Sequence, residues 1–266
     1  MTTFCLKRAP WLSIRALDYN PANAMTKLSV NVNKIATLRN TRALGIPSVT
    51  RAATICLEAE AQGITVHPRP DQRHIRPDDV YELAELLKRY PQAEFNIEGN
   101  PLIEYMHFIE AVKPTQATLV PDAREAFTSN HGWDLRSNEK RLRPLIERIK
   151  SLGSRVSLFM DAVPQDMELA KQFGADRVEL YTEPYAAGFA RGDPQAAAPY
   201  AQAAQRAADV GLAVNAGHDL NLENLPPLLK QCPQIVEVSI GHALIADALE
   251  FGLAETVRKY LRACES

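Results

Sequence analysis

Residues 63–75, GITVHPRPDQRHI, bring two imidazoles and two guanidiniums together in one short stretch: His67, Arg69, Arg73 and His74. Imidazoles take and give protons near neutral pH, and guanidiniums bind phosphate esters through paired N–H groups. The stretch opens as a short apolar strand, Ile64-Thr65-Val66, and turns polar where Pro68 and Pro70 stiffen the chain. Strand, polar loop, then helix is how a (β/α) barrel presents reacting groups at the C-terminal mouth of a strand. A solvated basic loop is the plain alternative.

Other apolar runs end in the same polar way. Asn31, Asn33 and Lys34 close the first run, with Arg39 and Arg42 beyond them. Glu98 closes Asn96-Ile97-Glu98, Thr128 follows Val120-Pro121 at a distance, Asp161 closes the fifth run and Glu179 lies in the sixth. Against apolar barrel walls, Glu98 would hold its proton more tightly than usual, which suits a base. It can equally serve as the buried partner of an arginine. The last two runs read VNAGHD and SIGHA, and each places a Gly-His pair after a strand, Gly217-His218 and Gly241-His242. Glycine lets a ligand approach backbone N–H groups, and the seventh and eighth loops of a barrel form its usual phosphate site. Two ordinary glycine turns with surface histidines are the alternative. His67, Glu98 and His218 are thus the candidates for proton transfer. Lys34 can form a Schiff base, bind phosphate or face solvent. No HExxH, deaminase zinc signature or GxSxG elbow occurs, so neither a catalytic metal nor a serine nucleophile is expected.

Several classes fall away on composition. The chain has 266 residues, 46% of them hydrophobic, a net charge of −2 and a pI near 6.3. Nothing in that balance suggests a nucleic-acid footprint. The apolar runs are strand-length, too short for a membrane span. Cys5, Cys56, Cys232 and Cys264 form no CxxC pair, so free thiols in a reducing cytoplasm are expected. Residues 1–24 show no clear period and make a poor signal peptide; a loose extension, or sequence upstream of the true start, is expected there.

From Met25 a beat repeats: short strand, polar loop, amphipathic helix. Strands are expected at Leu28–Val32, Ile64–Val66, Glu94–Ile97, Ala117–Val120, Val156–Met160, Arg177–Leu180, Ala213–Asn215 and Val236–Ile240. Helices are expected near 51–62, 78–89, 102–112, 138–152, 165–173, 195–210, 222–231 and 243–263. Gly63, Gly153, Gly174 and Gly211 stand where left-handed helix caps are wanted. Eight strands alternating with eight helices over residues 25–266 predict a single (β/α)8 TIM barrel. A doubly wound sheet shares the alternation, but no GxGxxG or GxxxxGK[ST] is present.

Taken together, VNVNKIATLRNTR, GITVHPRPDQRHI, FNIE, ATLVPD, VSLFMDA, VELYTEPYA, VNAGHDL and SIGHALI resemble the pyridoxine 5'-phosphate synthase family. The match runs in the family's order from about Leu28 to the C-terminal helix. The resemblance implies an enzyme that joins 3-amino-2-oxopropyl phosphate to 1-deoxy-D-xylulose 5-phosphate, without metal or organic cofactor. It releases pyridoxine 5'-phosphate, phosphate and water, and typically assembles as a homo-octamer built from dimers. It further implies His67 and Glu98 as proton acceptors, His218 as proton donor and Glu179 as a transition-state stabiliser. Arg69, His74 and Thr128 match the residues that bind the deoxyxylulose phosphate. Asn31, Arg42, Gly241 and His242 match the aminoketone phosphate site. The chain departs from the family pattern in three places. Asn33-Lys34 stands where Asp-His is common in the substrate site. Asp219 replaces a glycine, so its carboxylate should turn away and leave only its backbone to serve. Glu183-Pro184 replaces a glycine-containing turn. Two rivals share the barrel: another phosphosugar isomerase or aldolase, and an altered paralogue that binds phosphorylated metabolites without turnover.

Overall fold

The computed structural model describes residues 25–265. The extension expected over residues 1–24 lies outside them. Eight parallel strands, β1 (Lys27–Asn31), β2 (Gly63–Val66), β3 (Glu94–Gly99), β4 (Gln116–Leu119), β5 (Arg155–Met160), β6 (Arg177–Tyr181), β7 (Ala213–Gly217) and β8 (Ile235–Ile240), close into a barrel in sequence order. β1 pairs with both β2 and β8, which completes the ring.

The strands alternate because each has two unlike faces. In β6, Val178 and Leu180 point to the surrounding helices and are fully buried, while Arg177, Glu179 and Tyr181 form the other set. The outward apolar set, with Leu28, Val30, Ile64, Val66, Ile97, Leu119, Val156 and Leu158, makes the main core against the helices. Each such side chain contributes about 1.5–3 kcal/mol when fully buried. The inner wall is polar. Ser29 shares a hydrogen bond with Thr65 at 2.7 Å, and Thr118 donates to Asn96 at 2.9 Å. Arg177 donates to Glu237 at 2.8 Å, and Arg155 pairs with Glu94. The expectation that Glu98 faces apolar barrel walls is therefore corrected: its neighbours inside the barrel are polar and charged.

Among the described residues there are eleven helices rather than eight: α1 (Asn33–Asn40), α2 (Val49–Glu58), α3 (Pro77–Leu87), α4 (Met106–Val112), α5 (Leu135–Ser151), α6 (Pro164–Gln172), α7 (Glu183–Ala190), α8 (Ala198–Asp209), α9 (Leu225–Gln231), α10 (His242–Phe251) and α11 (Leu253–Cys264). The single helix expected over 243–263 is two, broken at Gly252, which takes φ +79°. Two helices were not expected. α1 buries only Ile35, Ala36 and Arg39, and Arg39 is held by Asp79, so no apolar stripe announces it. α7 reads EPYAAGFA, where Pro184 starts a helix rather than a turn, and Gly188 lets Ala196 pack closely. Asn33 and Lys34, expected at the end of a strand, instead begin α1.

Three of the four expected glycine caps hold: Gly153, Gly174 and Gly211 all have positive φ. The fourth does not. Gly63 is the first residue of β2, and Glu60, with φ +73°, makes the left-handed turn after α2.

Candidate active site

The C-terminal ends of the strands gather most of the expected polar residues at one mouth. β1 ends at Asn31, whose Oδ1 accepts the Asn33 N–H at 3.0 Å and starts α1. Asn33 Oδ1 in turn accepts the backbone N–H of His67 at 3.0 Å. A short chain of amide contacts therefore ties the first two strand ends together. Gly241 sits hard against Asn31, where an added Cβ would lie 3.1 Å from the Asn31 Cβ. Gly241 is the N-cap of α10 and His242 is its first residue. The turn after β8 thus lies beside the end of β1, with free N–H groups of a helix start near it.

The loop after β2 is held from three sides. Arg39, buried and paired with Asp79, donates to the His74 carbonyl at 3.2 Å, and Asn40 donates to the same oxygen at 2.8 Å. Arg69 is buried, pairs with Asp122 just past β4 and donates to the Ala126 carbonyl at 2.9 Å. Arg73 reaches the Phe127 carbonyl at 3.0 Å. The loops after β2 and β4 are thereby stitched together, with exposed Thr128 between Phe127 and Ser129, whose hydroxyl donates to Asp122 at 2.7 Å.

His67 Nδ1 faces Glu98 Oε2 at 3.8 Å, and both side chains are about nine-tenths buried. At that distance and an effective dielectric near 20, a charged pair would gain about 4 kcal/mol. Burying two ions costs several kcal/mol for each, so the pair rests neutral. Burial, and then the charge of Asp122, pushes the Glu98 carboxyl up to about 8, although Arg69 pulls it down. Burial, and then Arg69, His74 and His218, keeps His67 well below the usual imidazole range. His74 is held down to about 4 by burial and by Arg69, Lys34 and Arg73. Its Nδ1 accepts the Ile75 N–H at 2.9 Å, so the neutral ring carries its proton on Nε2.

His218 lies between two rings, Phe159 and Tyr181, each with its centroid 5.2 Å away. Burial, with Arg69, holds it below the usual imidazole range, although Asp219 and Asp122 pull the other way. The Asp219 side chain is exposed, as expected of one that turns away, yet its charge still reaches His218. Glu179 stands below the mouth, buried, and among the described residues its Oε2 has no hydrogen-bond partner. Gly217 makes room for it: an added Cβ there would lie 2.5 Å from Glu179 Oε1. Burial, then the charges of Glu98 and Glu237, raises Glu179 well above the usual carboxylate range.

That last shift carries a prediction for stability. An unfolded glutamate loses its proton near pH 4.3, whereas folded Glu179 keeps it to much higher pH. Its stabilising contribution is full below about pH 4 and is lost as pH rises toward the folded value. Glutamine mimics the protonated form and does not titrate. Thermal melting midpoints of Glu179→Gln should therefore fall less steeply from pH 5 to pH 9 than those of the wild-type chain. Parallel curves would contradict this.

Not every expected residue joins the cluster. Arg42 is exposed on the loop after α1, and among the described residues no ion pair or side-chain hydrogen bond ties it to the mouth. Lys34 is exposed but close enough to act on His74. Other contributors were not expected. Asp122 orients Arg69; Ser239 on β8 lies near Glu98 and lowers its proton affinity; Tyr105 lies over Gly99 and donates to the Ile97 carbonyl at 2.8 Å. Asp122 stood in the ATLVPD motif, where a carboxylate beside a Pro at a strand end was the available signal. Ser239 and Tyr105 gave none, since serine and tyrosine at such places commonly pack. Among the described residues no three His, Cys, Asp or Glu side chains converge as metal donors would.

A family described as pyridoxal phosphate biosynthesis protein PdxJ matches residues 28–266. The chain belongs to this family. A pyridoxine 5'-phosphate synthase of Albidiferax ferrireducens is 59% identical over 244 residues, covering 89% of this chain and 96% of the relative. Proteins of the same description are 52% identical in Porphyromonas gingivalis and 53% identical in Brucella abortus, each covering 89% of this chain and 98% of the relative. A Mycobacterium tuberculosis tryptophan synthase chain superposes with a TM-score of 0.64 at 10% identity, covering 92% of this chain and 94% of its own length. A Pyrococcus furiosus thiamine phosphate pyrophosphorylase gives 0.57 at 13% identity, covering 91% and 96%. At those identities the likeness is one of fold alone, the TIM barrel.

Proposed function

We propose that this chain is a pyridoxine 5'-phosphate synthase. It condenses 3-amino-2-oxopropyl phosphate with 1-deoxy-D-xylulose 5-phosphate into the pyridine ring of pyridoxine 5'-phosphate, with release of phosphate and water. The observation that carries the reading is the His67–Glu98 pair at 3.8 Å, set at a barrel mouth that also holds His218 and the Gly241–His242 turn. Family membership and relatives at 52–59% identity point the same way.

The chemistry needs an amine and a ketone to form an imine, then enolisation, loss of phosphate, ring closure and loss of water. The substrate supplies the amine, so no enzyme lysine is needed. Each later step moves a proton. In this reading neutral His67 accepts a proton, Glu98 accepts one from the fraction in which it has ionised, and His218 returns one to a leaving oxygen. Arg69, His74 and Thr128 hold the deoxyxylulose phosphate, with Lys34 beside them and Asn33, whose Oδ1 is taken by the His67 backbone, offering only its amide N–H. Asn31, Gly241 and His242, with the Asp219 backbone, hold the aminoketone phosphate, where the α10 N-terminus favours an anion, and Arg42 joins them only by swinging in from its exposed loop. Phosphate charge arriving at Arg69 would offset the cations that depress His67 and make it a better base. Glu179, protonated, would donate a hydrogen bond to a developing oxyanion.

The Asn33 departure fits within this reading. Its Oδ1 accepts the His67 N–H, and an aspartate at that position could do the same. No helix among the described residues is long and apolar enough to cross a membrane, and a cytoplasmic enzyme is proposed. An assembly of dimers into an octamer is proposed from the family resemblance; it would give exposed Leu44 and Ile46 a partner surface.

The test is direct. Purified, chelator-treated protein is mixed with both phosphates, and the pyridine product is followed by its absorbance. Formation of pyridoxine 5'-phosphate supports the proposal. Binding of both compounds without turnover would favour the altered paralogue and defeat it.

A further inference from the structure

Thr182 occupies the N-cap of α7, yet its side chain caps nothing. A threonine there normally accepts an N–H from the first turn. Here the hydroxyl turns the other way. It lies 2.5 Å from the Gly217 carbonyl and 2.6 Å from the His218 carbonyl, while its backbone N–H donates to Gly217 at 2.9 Å. The side chain is fully buried. One hydroxyl proton is thus shared by two successive carbonyl oxygens on the neighbouring strand end.

Those carbonyls belong to an unusual turn. His218 has φ +85° and Asp219 φ +55°, left-handed conformations that non-glycine residues rarely take and that strain the backbone. Such a turn persists only where its surroundings hold it. Thr182 holds one end, and Asn224 Nδ2 holds the other through the Asp219 carbonyl at 3.0 Å. α7 is itself fixed: the Tyr185 hydroxyl donates to the Asn224 carbonyl at 2.6 Å, and its N–H donates at 3.3 Å to the Tyr200 hydroxyl, which in turn donates to the Tyr181 carbonyl at 2.8 Å. Phe159 and Tyr181 confine the ring but do not set the backbone from which it projects.

We propose that Thr182 is the positioning residue for His218: its hydroxyl gathers the Gly217 and His218 carbonyls and so fixes the left-handed turn that aims the imidazole at the reacting atoms. This inference rests on the synthase reading, in which His218 is the proton donor. Thr182 touches no substrate and acts only through that ring.

The experiment compares Thr182→Val and Thr182→Cys, which delete the hydroxyl or replace it with a weak donor, with Thr182→Ser, which keeps it. Turnover should fall roughly tenfold to a hundredfold in the first two, as misplacement of a reacting group does, with both KM values within about twofold. Thr182→Ser should stay within about threefold of wild type. In a His218→Ala background, Thr182→Val should cost less than about twofold more, because the residue it positions is gone. Full turnover in both Val and Cys variants, an equal loss in Thr182→Ser, or an undiminished loss in the His218→Ala background would each overturn the inference. A wild-type chain that makes no pyridine product would sink the functional reading and this inference with it. A wild-type chain that turns over no faster than the Val and Cys variants sinks only the inference.

Discussion

Glu98→Gln should lower turnover by about 10²–10⁴-fold, the usual contribution of a positioned acid or base. The substitution keeps the side chain's shape and its place against His67 and Ser239, so substrate binding should change little. The pH profile should report the same group. Glu98 acts as a base only when ionised, and burial with Asp122 pushes its carboxyl up to about 8. In the wild-type chain kcat/KM should therefore rise as pH increases through about 8. That limb should disappear in Glu98→Gln, since an amide does not titrate in this range. Steady-state kinetics from pH 6 to pH 9.5 would check both. A variant that keeps most of its rate, or keeps the limb, would remove Glu98 from the proton transfers.

His67→Ala should cost a similar factor, about 10²–10⁴ in turnover. Here the pH signature differs. His67 is held well below the usual imidazole range, so it is neutral, and ready to accept a proton, throughout that pH window. Its loss should lower the whole curve without moving the limb near 8. Arg69, His74 and the α10 N-terminus remain, so KM values should move by less than about tenfold. Because His67 and Glu98 face each other at 3.8 Å, the double variant should lose much less than the product of the two single losses. Fully multiplicative losses would mean that the two groups serve unrelated steps.

The barrel itself was legible because its signal is redundant. Eight strand–loop–helix beats survive small errors at their ends, and each strand fell within a few residues of its place. The two unforeseen helices carry little apolar pattern. α1 buries an arginine that is acceptable only because Asp79, in a distant helix, neutralises it. α7 buries Tyr185, together with Gly188, which Ala196 approaches closely. In both, long-range contacts decide, and the local sequence does not record them.

The site divided in the same way. Charged and imidazole side chains at strand ends are costly to place there without use, so His67, Arg69, His74, Glu98 and His218 stood out. The residues that orient them did not. Asn33 was read as a substrate contact, yet its amide oxygen holds the His67 backbone. Thr182 becomes visible only when β6 meets β7, and the partner of Asp122 only when the loop after β4 meets that after β2. The polar inner wall was missed because alternation in a strand shows two faces but not which face turns inward.

A structure with the product bound is the most direct measurement of the central claim, that one barrel mouth carries the whole reaction. The pyridine ring should lie between Glu98, His67 and His218, with its phosphate at the Gly241–His242 turn. Product bound elsewhere on the molecule, or a ring out of reach of all three side chains, would contradict it.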